Sequence, residues 1–161
     1  MFDVREAPVD VELIARGLEA GVVYRPFEGD VSGMVYRNRR EKVIGVNSSH
    51  PQNRQRFTVA HEIGHLVLHK GQPVFVDSFE GRINWRDGAS AKEESEANAF
   101  AAELLMPRAL VLGEVDRAVG EEDLSAATLT ERMARDFKVS QQSMRYRLEN
   151  LGVLDPGGLL E

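Results

Sequence analysis

Apolar positions in the first fifty residues follow a helical spacing and then the spacing of strands. Residues 8–20 carry apolar side chains three or four positions apart, which predicts a helix. Residues 21–27 form a short apolar run, and Pro26 within it indicates a strand at the edge of a sheet. Two further apolar runs, residues 31–37 and 42–47, flank a polar segment and together predict a β-hairpin.

From about residue 52 onward the pattern is mostly helical. Residues 52–71 predict a largely buried helix, and residues 72–92 hold a short apolar strand followed by a polar loop. A second long helix is predicted over residues 91–106, where Pro107 interrupts it. Three more helices are predicted over residues 108–119, 125–138 and 140–150. The order of these elements predicts an α+β fold.

The composition is that of a globular protein without thiol chemistry. The 161 residues fit one domain, or a catalytic domain with a small helical appendage. Hydrophobic residues make up 42% of the chain and charged residues 29%, which is ordinary for a globular protein. The absence of cysteine excludes disulfides, thiolate metal sites and cysteine nucleophiles. Any metal must therefore be held by histidine, carboxylate or backbone oxygen.

Charge and hydropathy bear on location and partners. The N-terminus has no long apolar run of the kind a signal peptide needs, and no window reaches the ~18 apolar residues of a membrane span. We therefore expect a cytoplasmic protein with no membrane association. The net charge of −6 argues against nucleic acid as the main partner, because phosphate binding depends on clustered Lys and Arg.

The pattern H-E-I-G-H, from His61 to His65, lies inside the predicted helix of residues 52–71. Residues four apart project from one helical face, so both imidazoles can reach a single metal ion. Glu62 lies one step round the helix, where it can act as the catalytic base. A pair of structural histidines is the alternative, but it gives no reason for a glutamate at that step. The pattern predicts one zinc ion per chain, with another divalent metal as the alternative.

A catalytic zinc needs a third protein ligand. Without cysteine, the choice lies among His50, His69 and a carboxylate. His69 continues the four-residue series, but one straight helix cannot easily present three rings to one ion. Glu94 and Asn98 are four residues apart and share the apolar face of the next helix. We therefore predict Glu94 as the third ligand and Asn98 as the residue that orients a ligand histidine.

Two other carboxylates, Glu93 and Glu96, open the same helix on different faces. Acidic residues in a first helical turn are stabilised by the helix dipole and are usually solvated. We therefore assign no site role to either carboxylate. The group that stabilises the tetrahedral oxyanion is left open among His50, Tyr24 and Tyr36, for each of which a structural role is favoured.

Three stretches of the chain resemble the ImmA/IrrE family of zinc metallopeptidases: VNSSHP at residues 46–51, RQRFTVAHEIGHL at 54–66 and ESEANAFAAELLMP at 94–107. The resemblance runs from about residue 9 to residue 107 and is most specific in the last two stretches. It implies a minimal zincin-like fold, with an N-terminal helix, a small twisted sheet, a helix carrying H-E-x-x-H and a helix carrying a glutamate ligand.

The resemblance also implies an activity and a partner. It implies that His61, His65 and Glu94 bind zinc and that Glu62 is the base. Members of the family cleave helix-turn-helix repressors encoded nearby, which derepresses mobile-element or stress-response genes. We therefore expect a zinc-dependent, site-specific endopeptidase whose substrate is such a repressor. The scissile bond, the activating signal and the oligomeric state are left open.

Residues 130–148 resemble a helix-turn-helix in which Ser140 caps the second helix. Arg145 and Arg147 on that helix suggest an alternative function, a DNA-binding or repressor-binding regulator in which the metal is only structural. Residues 121–161, however, hold eight acidic residues and five Lys or Arg, a net charge of −3. This balance argues against DNA and favours a helical support or a protein-docking module.

The predicted organisation has three parts. Residues 1–119 are expected to form the metallopeptidase domain. Residues 120–152 are expected to form a helix-turn-helix-like module packed on it, and residues 153–161 a flexible tail.

Substrate binding is predicted at a sheet edge, where an extended peptide can add as a further strand. The hairpin precedes the metal helix, so residues 31–35 are predicted to be that edge. Ser32 and Gly33 are small enough for a second backbone to approach, which makes them the predicted substrate-binding residues. The alternative is that Gly33 marks a β-bulge or close packing.

Overall fold

The computed structural model describes residues 6–70, 74–78, 90–119 and 125–155. Within these ranges the α+β prediction is confirmed. The helices are α1 (Val11–Gly17), α2 (Gln52–Leu68), α3 (Ala91–Leu105), α4 (Arg108–Ala118), α5 (Ala126–Phe137) and α6 (Gln141–Asn150), and the strands are β1 (Ala20–Arg25), β2 (Val31–Arg37), β3 (Lys42–Asn47) and β4 (Val74–Ser78). None of the helices described is both long and apolar enough to cross a membrane.

The chain divides into two compact units. The sheet unit comprises Asp10–Ala101, and the helical unit comprises Ala102–Glu161 together with Met1–Val9. The three predicted domains, with boundaries after residues 119 and 152, stay a prediction. Most of the predicted tail, residues 156–161, lies outside the described residues.

The sheet has the strand order β1-β3-β2-β4. The predicted hairpin is confirmed, because β2 and β3 pair antiparallel with Tyr36 opposite Val43. β1 runs parallel to β3, and β4 runs antiparallel to β2. The prediction that residues 31–35 form the sheet edge is wrong, because β4 covers the side of β2 that β3 leaves open. In the described sheet, the outer strands are β1 and β4.

The two residues predicted to bind substrate at that edge lie in the interior of the unit. A Cβ atom at Gly33 would overlap the Thr58 side chain and lie 3.1 Å from Glu62 Oε1. Ser32 is 4% exposed, and its hydroxyl oxygen accepts a hydrogen bond from Arg54 Nη2 at 2.8 Å. The pairing of β2 with β4 also shifts register between Val31 and Gly33. The alternative interpretation of Gly33, a bulge with close packing, therefore describes this position.

The metal helix predicted from the sequence is α2, which packs against β2 and β3. Ile44 and Val46 of β3 and Val59 and Ile63 of α2 are fully buried, and burial of each such side chain stabilises the fold by about 1.5–3 kcal/mol. The end of α2 is held from the sheet, since Arg37 donates hydrogen bonds to the carbonyl oxygens of Leu66 and His69. A cation is favourable at this end of a helix, where carbonyl groups point outward.

The helical unit contains two capped helices around an apolar core. Ser125 accepts a hydrogen bond from the Thr128 amide at 3.0 Å, and Ser140 accepts one from the Ser143 amide at 3.0 Å, so the predicted Ser140 cap is confirmed. Lys138 ends α5 in the left-handed conformation, with a φ of 51°. The largest buried side chains of these two helices are Leu129, Met133, Phe137, Met144 and Leu148.

Candidate metal centre

Two histidines of α2 face each other one helical turn apart. His61 Nε2 and His65 Nε2 are 3.0 Å apart, and the two residues are 2% and 1% exposed. Two ring nitrogens this close repel each other if both carry lone pairs, unless a proton or a cation lies between or beside them. The four-residue spacing on one helix therefore produces the paired donors that the sequence predicted.

A carboxylate from α3 completes the cluster. Glu94 Oε2 lies 3.2 Å from His61 Nε2, and Glu94 Oε1 lies 3.3 Å from His65 Nε2. The ligand atoms that the three residues offer lie within 4.8 Å of one another. The structure thus brings together all three residues that were predicted to bind the metal.

The approach of α3 to α2 depends on a glycine inside the histidine pattern. A Cβ atom at Gly64 would lie 3.1 Å from the Ala97 Cα and 3.2 Å from Phe100 Cδ1. These separations are shorter than ordinary carbon contacts of about 3.5–4.0 Å. A side chain at Gly64 would therefore push α3 outward and carry Glu94 away from the histidines.

The donor atoms fit one metal ion. Zinc binds histidine nitrogen and carboxylate oxygen at about 2.0–2.2 Å in a tetrahedron, whose ligand atoms are then about 3.3–3.5 Å apart. The separations of 3.0, 3.2 and 3.3 Å between these donors are close to that spacing. Three protein ligands leave one tetrahedral position for water or substrate, as in catalytic sites.

The predicted supporting residue lies behind the first histidine. Asn98 Oδ1 is 3.0 Å from His61 Nδ1. A carbonyl oxygen only accepts, so the Nδ1 nitrogen must donate its proton to it. The remaining nitrogen, Nε2, then carries a lone pair directed at the cluster. Asn98 therefore selects the tautomer of His61 that can bind a metal.

The protonation of the cluster also suits a cation. Burial alone would raise the pKa of Glu94, but hydrogen bonds and charge from His61 and His65 outweigh it and hold that pKa at about 2. Burial lowers the pKa of His65, although the Glu94 carboxylate opposes this effect in part. An ionised carboxylate beside a neutral imidazole is the form in which both groups bind metal.

The predicted base, Glu62, lies on α2 next to His61 and is fully buried. Its Oε1 atom is 3.1 Å from the position that a Cβ at Gly33 would take, so the glycine of β2 leaves room for the carboxylate. Glu62 is outside the group of three metal-binding residues. Glu62 therefore shares a helix with the two histidines without belonging to the group that could bind the metal.

Two residues that received no role from the sequence also belong to this region. His69 Nδ1 is 2.9 Å from His65 Nδ1, and His69 Nε2 is 3.0 Å from Glu96 Oε2. Glu93, by contrast, takes part in a capping box, because its carboxylate accepts from the Ser90 amide at 2.7 Å. The four-residue spacing of His61, His65 and His69 was the sequence signal that could have identified the contact between His65 and His69.

The two tyrosines considered for the oxyanion have local partners. Tyr24 donates a hydrogen bond from its hydroxyl to Glu12 Oε1 at 2.6 Å, and burial together with this carboxylate raises the pKa of Tyr24. The Tyr36 hydroxyl oxygen accepts from Asn38 Nδ2 at 2.8 Å. Both hydroxyls thus have hydrogen-bond partners other than the residues of the metal cluster.

The two arginines that suggested DNA binding have acidic partners within the helical unit. Arg145 Nε donates to Glu149 Oε1 at 2.8 Å on the same helix. Arg147 pairs with Glu103 and donates from Nε to the Met106 carbonyl oxygen at 2.9 Å. These pairs reduce the positive charge that α6 offers to a phosphate backbone.

Comparison with known proteins adds a family assignment. The sequence profile of Peptidase_M78, described as the IrrE N-terminal-like domain, matches residues 16–149. The chain is 33% identical over 109 residues to "Radiation response metalloprotease IrrE" of Deinococcus radiodurans, a match that covers 66% of this chain and 30% of the relative. It is 32% identical over 80 residues to "Uncharacterized immunity region protein 2" of Bacillus phage phi105, covering 48% of this chain and 46% of the relative. The chain thus spans less than half the length of either relative.

Proposed function

The chain belongs to the Peptidase_M78 family of IrrE N-terminal-like domains, and on that premise we propose that it is a zinc-dependent endopeptidase that cleaves a helix-turn-helix repressor at a specific site. One observation carries the proposal. Glu94 of α3 meets His61 and His65 on α2, the helix that also holds Glu62. A purely structural metal would give no reason for a buried carboxylate beside the ligands.

The choice of zinc follows from the donor set. Two imidazole nitrogens and one carboxylate oxygen are the ligands of one class of catalytic zinc sites, and the chain has no cysteine. When bound, zinc would polarise the peptide carbonyl as a Lewis acid and lower the pKa of water toward about 7. His61 and His65 would each donate the Nε2 lone pair, and Glu94 would supply the negative charge that offsets the cation.

Glu62 supplies the proton transfers of the reaction. Its carboxylate accepts a proton from the attacking water, whose oxygen bonds to the carbonyl carbon of the peptide. The same proton then goes to the nitrogen of the leaving amine as the C–N bond breaks. Because Glu62 is fully buried, few waters compete for its carboxylate, and its position is fixed by α2 rather than by a loop.

The burial of the site supports a narrow substrate range. The two histidines and Glu62 are at most 2% exposed, and the Glu94 side chain is 22% exposed. Such a site suits a thin, extended segment better than the surface of a folded protein. The proposed substrate is a helix-turn-helix repressor, as the resemblance to the ImmA/IrrE family implies, and it would be cleaved within such an extended segment.

The test replaces the base without changing its shape. Glu62→Gln should bind zinc at wild-type stoichiometry while cleavage of the repressor falls by at least about 100-fold, the lower range for loss of a general base. Cleavage is followed by mass spectrometry of the repressor fragments, and metal content by elemental analysis of the same protein.

The matched control is Glu93→Gln, which changes a half-buried carboxylate that caps α3 and should cleave at the wild-type rate. Wild-type cleavage by the Glu62→Gln protein would remove Glu62 from the mechanism. Repressor that binds the wild-type protein but stays intact would instead support the alternative of a repressor-binding regulator.

A further inference from the structure

A line of hydrogen-bonding groups runs from His65 to Glu96. The first contact joins His65 Nδ1 to His69 Nδ1 at 2.9 Å, and the second joins His69 Nε2 to Glu96 Oε2 at 3.0 Å. His65 is 1% exposed and His69 is 8% exposed, whereas the Glu96 side chain is 44% exposed. The line therefore leads from the buried cluster to a carboxylate at the surface.

If His65 binds a metal, the two hydrogen bonds along this line can run in one direction only. The Nε2 atom of His65 must then carry a lone pair, so its Nδ1 carries the proton and donates it to His69 Nδ1. His69 Nδ1 accepts, which places the ring proton of the neutral His69 on Nε2. A carboxylate oxygen of Glu96 only accepts, and it lies where that proton points.

We propose that His69 and Glu96 are positioning residues that hold the ring of His65 with Nε2 directed at the metal. The proposal rests on the metal site of the proposed function, but it does not depend on the substrate. Both residues lie outside the group of three that could hold the metal, and both act through His65.

The arrangement has a counterpart on the other ligand histidine. Asn98 reaches His61 directly, whereas Glu96 reaches His65 only through the intervening ring of His69. Glu94, Glu96 and Asn98 all belong to α3, so one helix supplies a ligand and the support of both histidines. Residues behind a metal ligand typically contribute 10–100-fold to metal affinity.

The first test separates the hydrogen bond of His69 from its bulk. His69→Leu introduces an apolar side chain of similar size and removes the hydrogen-bond acceptor. The Kd of this variant for zinc should rise about 10–100-fold. In His69→Asn the oxygen is two bonds from Cβ, as Nδ1 is in histidine. That oxygen can accept from His65 Nδ1, and zinc affinity should stay much closer to wild type than in His69→Leu.

The second test applies the same logic to Glu96. Glu96→Ala should weaken zinc binding by about tenfold, the lower end of the range, because His69 keeps its contact with His65. Glu96→Gln retains an accepting oxygen and should restore most of the affinity. Glu96 also pairs with Lys92 at 3.6 Å, and Lys92→Ala removes that pair alone. The Lys92→Ala protein should bind zinc as the wild type does.

Zinc Kd is measured by competition with a chromophoric chelator, and the cobalt-substituted proteins are compared by visible absorption. Thermal unfolding of the metal-free variants shows whether each is folded. Weaker zinc binding and a changed cobalt spectrum in His69→Leu, with recovery in His69→Asn, support the proposal. Wild-type affinity in His69→Leu, or equal losses in His69→Leu and His69→Asn, overturn it. A protein that binds zinc in this way but cleaves no repressor would overturn only the proposed function.

Discussion

The sheet unit and the helical unit differ in the polar side chains that their helices bury. In the sheet unit, α2 buries a run of polar side chains: Thr58, His61, Glu62 and His65. In the helical unit, α5 and α6 bury apolar side chains, and the buried Thr130 donates from its hydroxyl to the Ala126 carbonyl oxygen at 2.7 Å. Burial of a polar group costs free energy unless it is compensated. The proposed metal therefore accounts for the buried polar residues of α2, and packing accounts for the apolar ones of α5 and α6.

This difference shows what an apolar helix pattern and a set of buried polar residues can each predict. A clean apolar stripe with capped ends, as in α5, explains stability and gives no information on chemistry. The buried polar residues of α2 depart from that pattern, and three of them, His61, Glu62 and His65, are the residues for which we propose a role. If the comparison is correct, substitutions in the His61, His65 and Glu94 cluster or in its packing should change metal binding, and substitutions in the helical unit should change stability alone.

The largest expected effect is the loss of the carboxylate ligand. Glu94→Ala removes one of three donors and leaves two buried imidazoles without the anion that offsets the metal charge. Its zinc affinity should fall by more than the roughly 100-fold upper range for a residue that lies behind a ligand. The measurement is chelator competition, with metal content after dialysis as a second readout. Wild-type affinity in Glu94→Ala would show that Glu94 is not a ligand.

An intermediate effect is expected where α2 and α3 meet. Gly64→Val places a branched side chain against Ala97 and should cost about 1–3 kcal/mol of stability, as overpacking does, and should weaken zinc binding by displacing Glu94. Zinc Kd and thermal unfolding of the metal-free protein measure the two effects.

The matched control is a second glycine within a helix. A Cβ at Gly113 of α4 would meet no atom within 4 Å, so Gly113→Ala should stabilise the protein by about 0.5–1 kcal/mol and leave zinc affinity unchanged. Equal zinc affinities in Gly64→Val and the wild type would show that the close approach of the helices does not position Glu94.

The smallest effect is expected at the turn between α5 and α6. Lys138 has a φ of 51°, a conformation that costs a residue with a side chain roughly 1–2 kcal/mol relative to glycine. Lys138→Gly should therefore raise the free energy of unfolding by about 1 kcal/mol, partly offset by the greater entropy of glycine in the unfolded chain. Chemical denaturation measures the gain. A change in zinc affinity in this variant would contradict the separation of roles between the units.

The helices and the ligands were predictable because their signals are local. Ser140 at a helix start and Pro107 after a helix end define boundaries that depend on neighbouring residues alone. His61 and His65 share one face of α2, and Glu94 and Asn98 share one face of α3, so each pair follows from spacing within its own helix.

The errors arose where the answer depends on distant residues. The strand at residues 74–78 was visible in the sequence, but its pairing with β2 joins segments about forty residues apart and is not encoded in apolar spacing. The predicted edge at residues 31–35 was wrong for that reason. The contact of Glu96 with His69 was missed likewise, because charge patterning describes Glu96 as a solvated residue and cannot show which ring reaches it.

The side chains of β2 also depend on the register in which the hairpin pairs. Gly33, Val35 and Arg37 alternate along β2, and each meets α2 or the buried core from the same face of the sheet. A slip of one residue would turn Met34 and Tyr36 toward the helix instead. In one direction the slip would put Met34 where Gly33 leaves room for Glu62, and in either direction the end of α2 would lose the guanidinium of Arg37. A misaligned hairpin would disturb the packing of α2, so binding of the proposed metal would require the correct strand register.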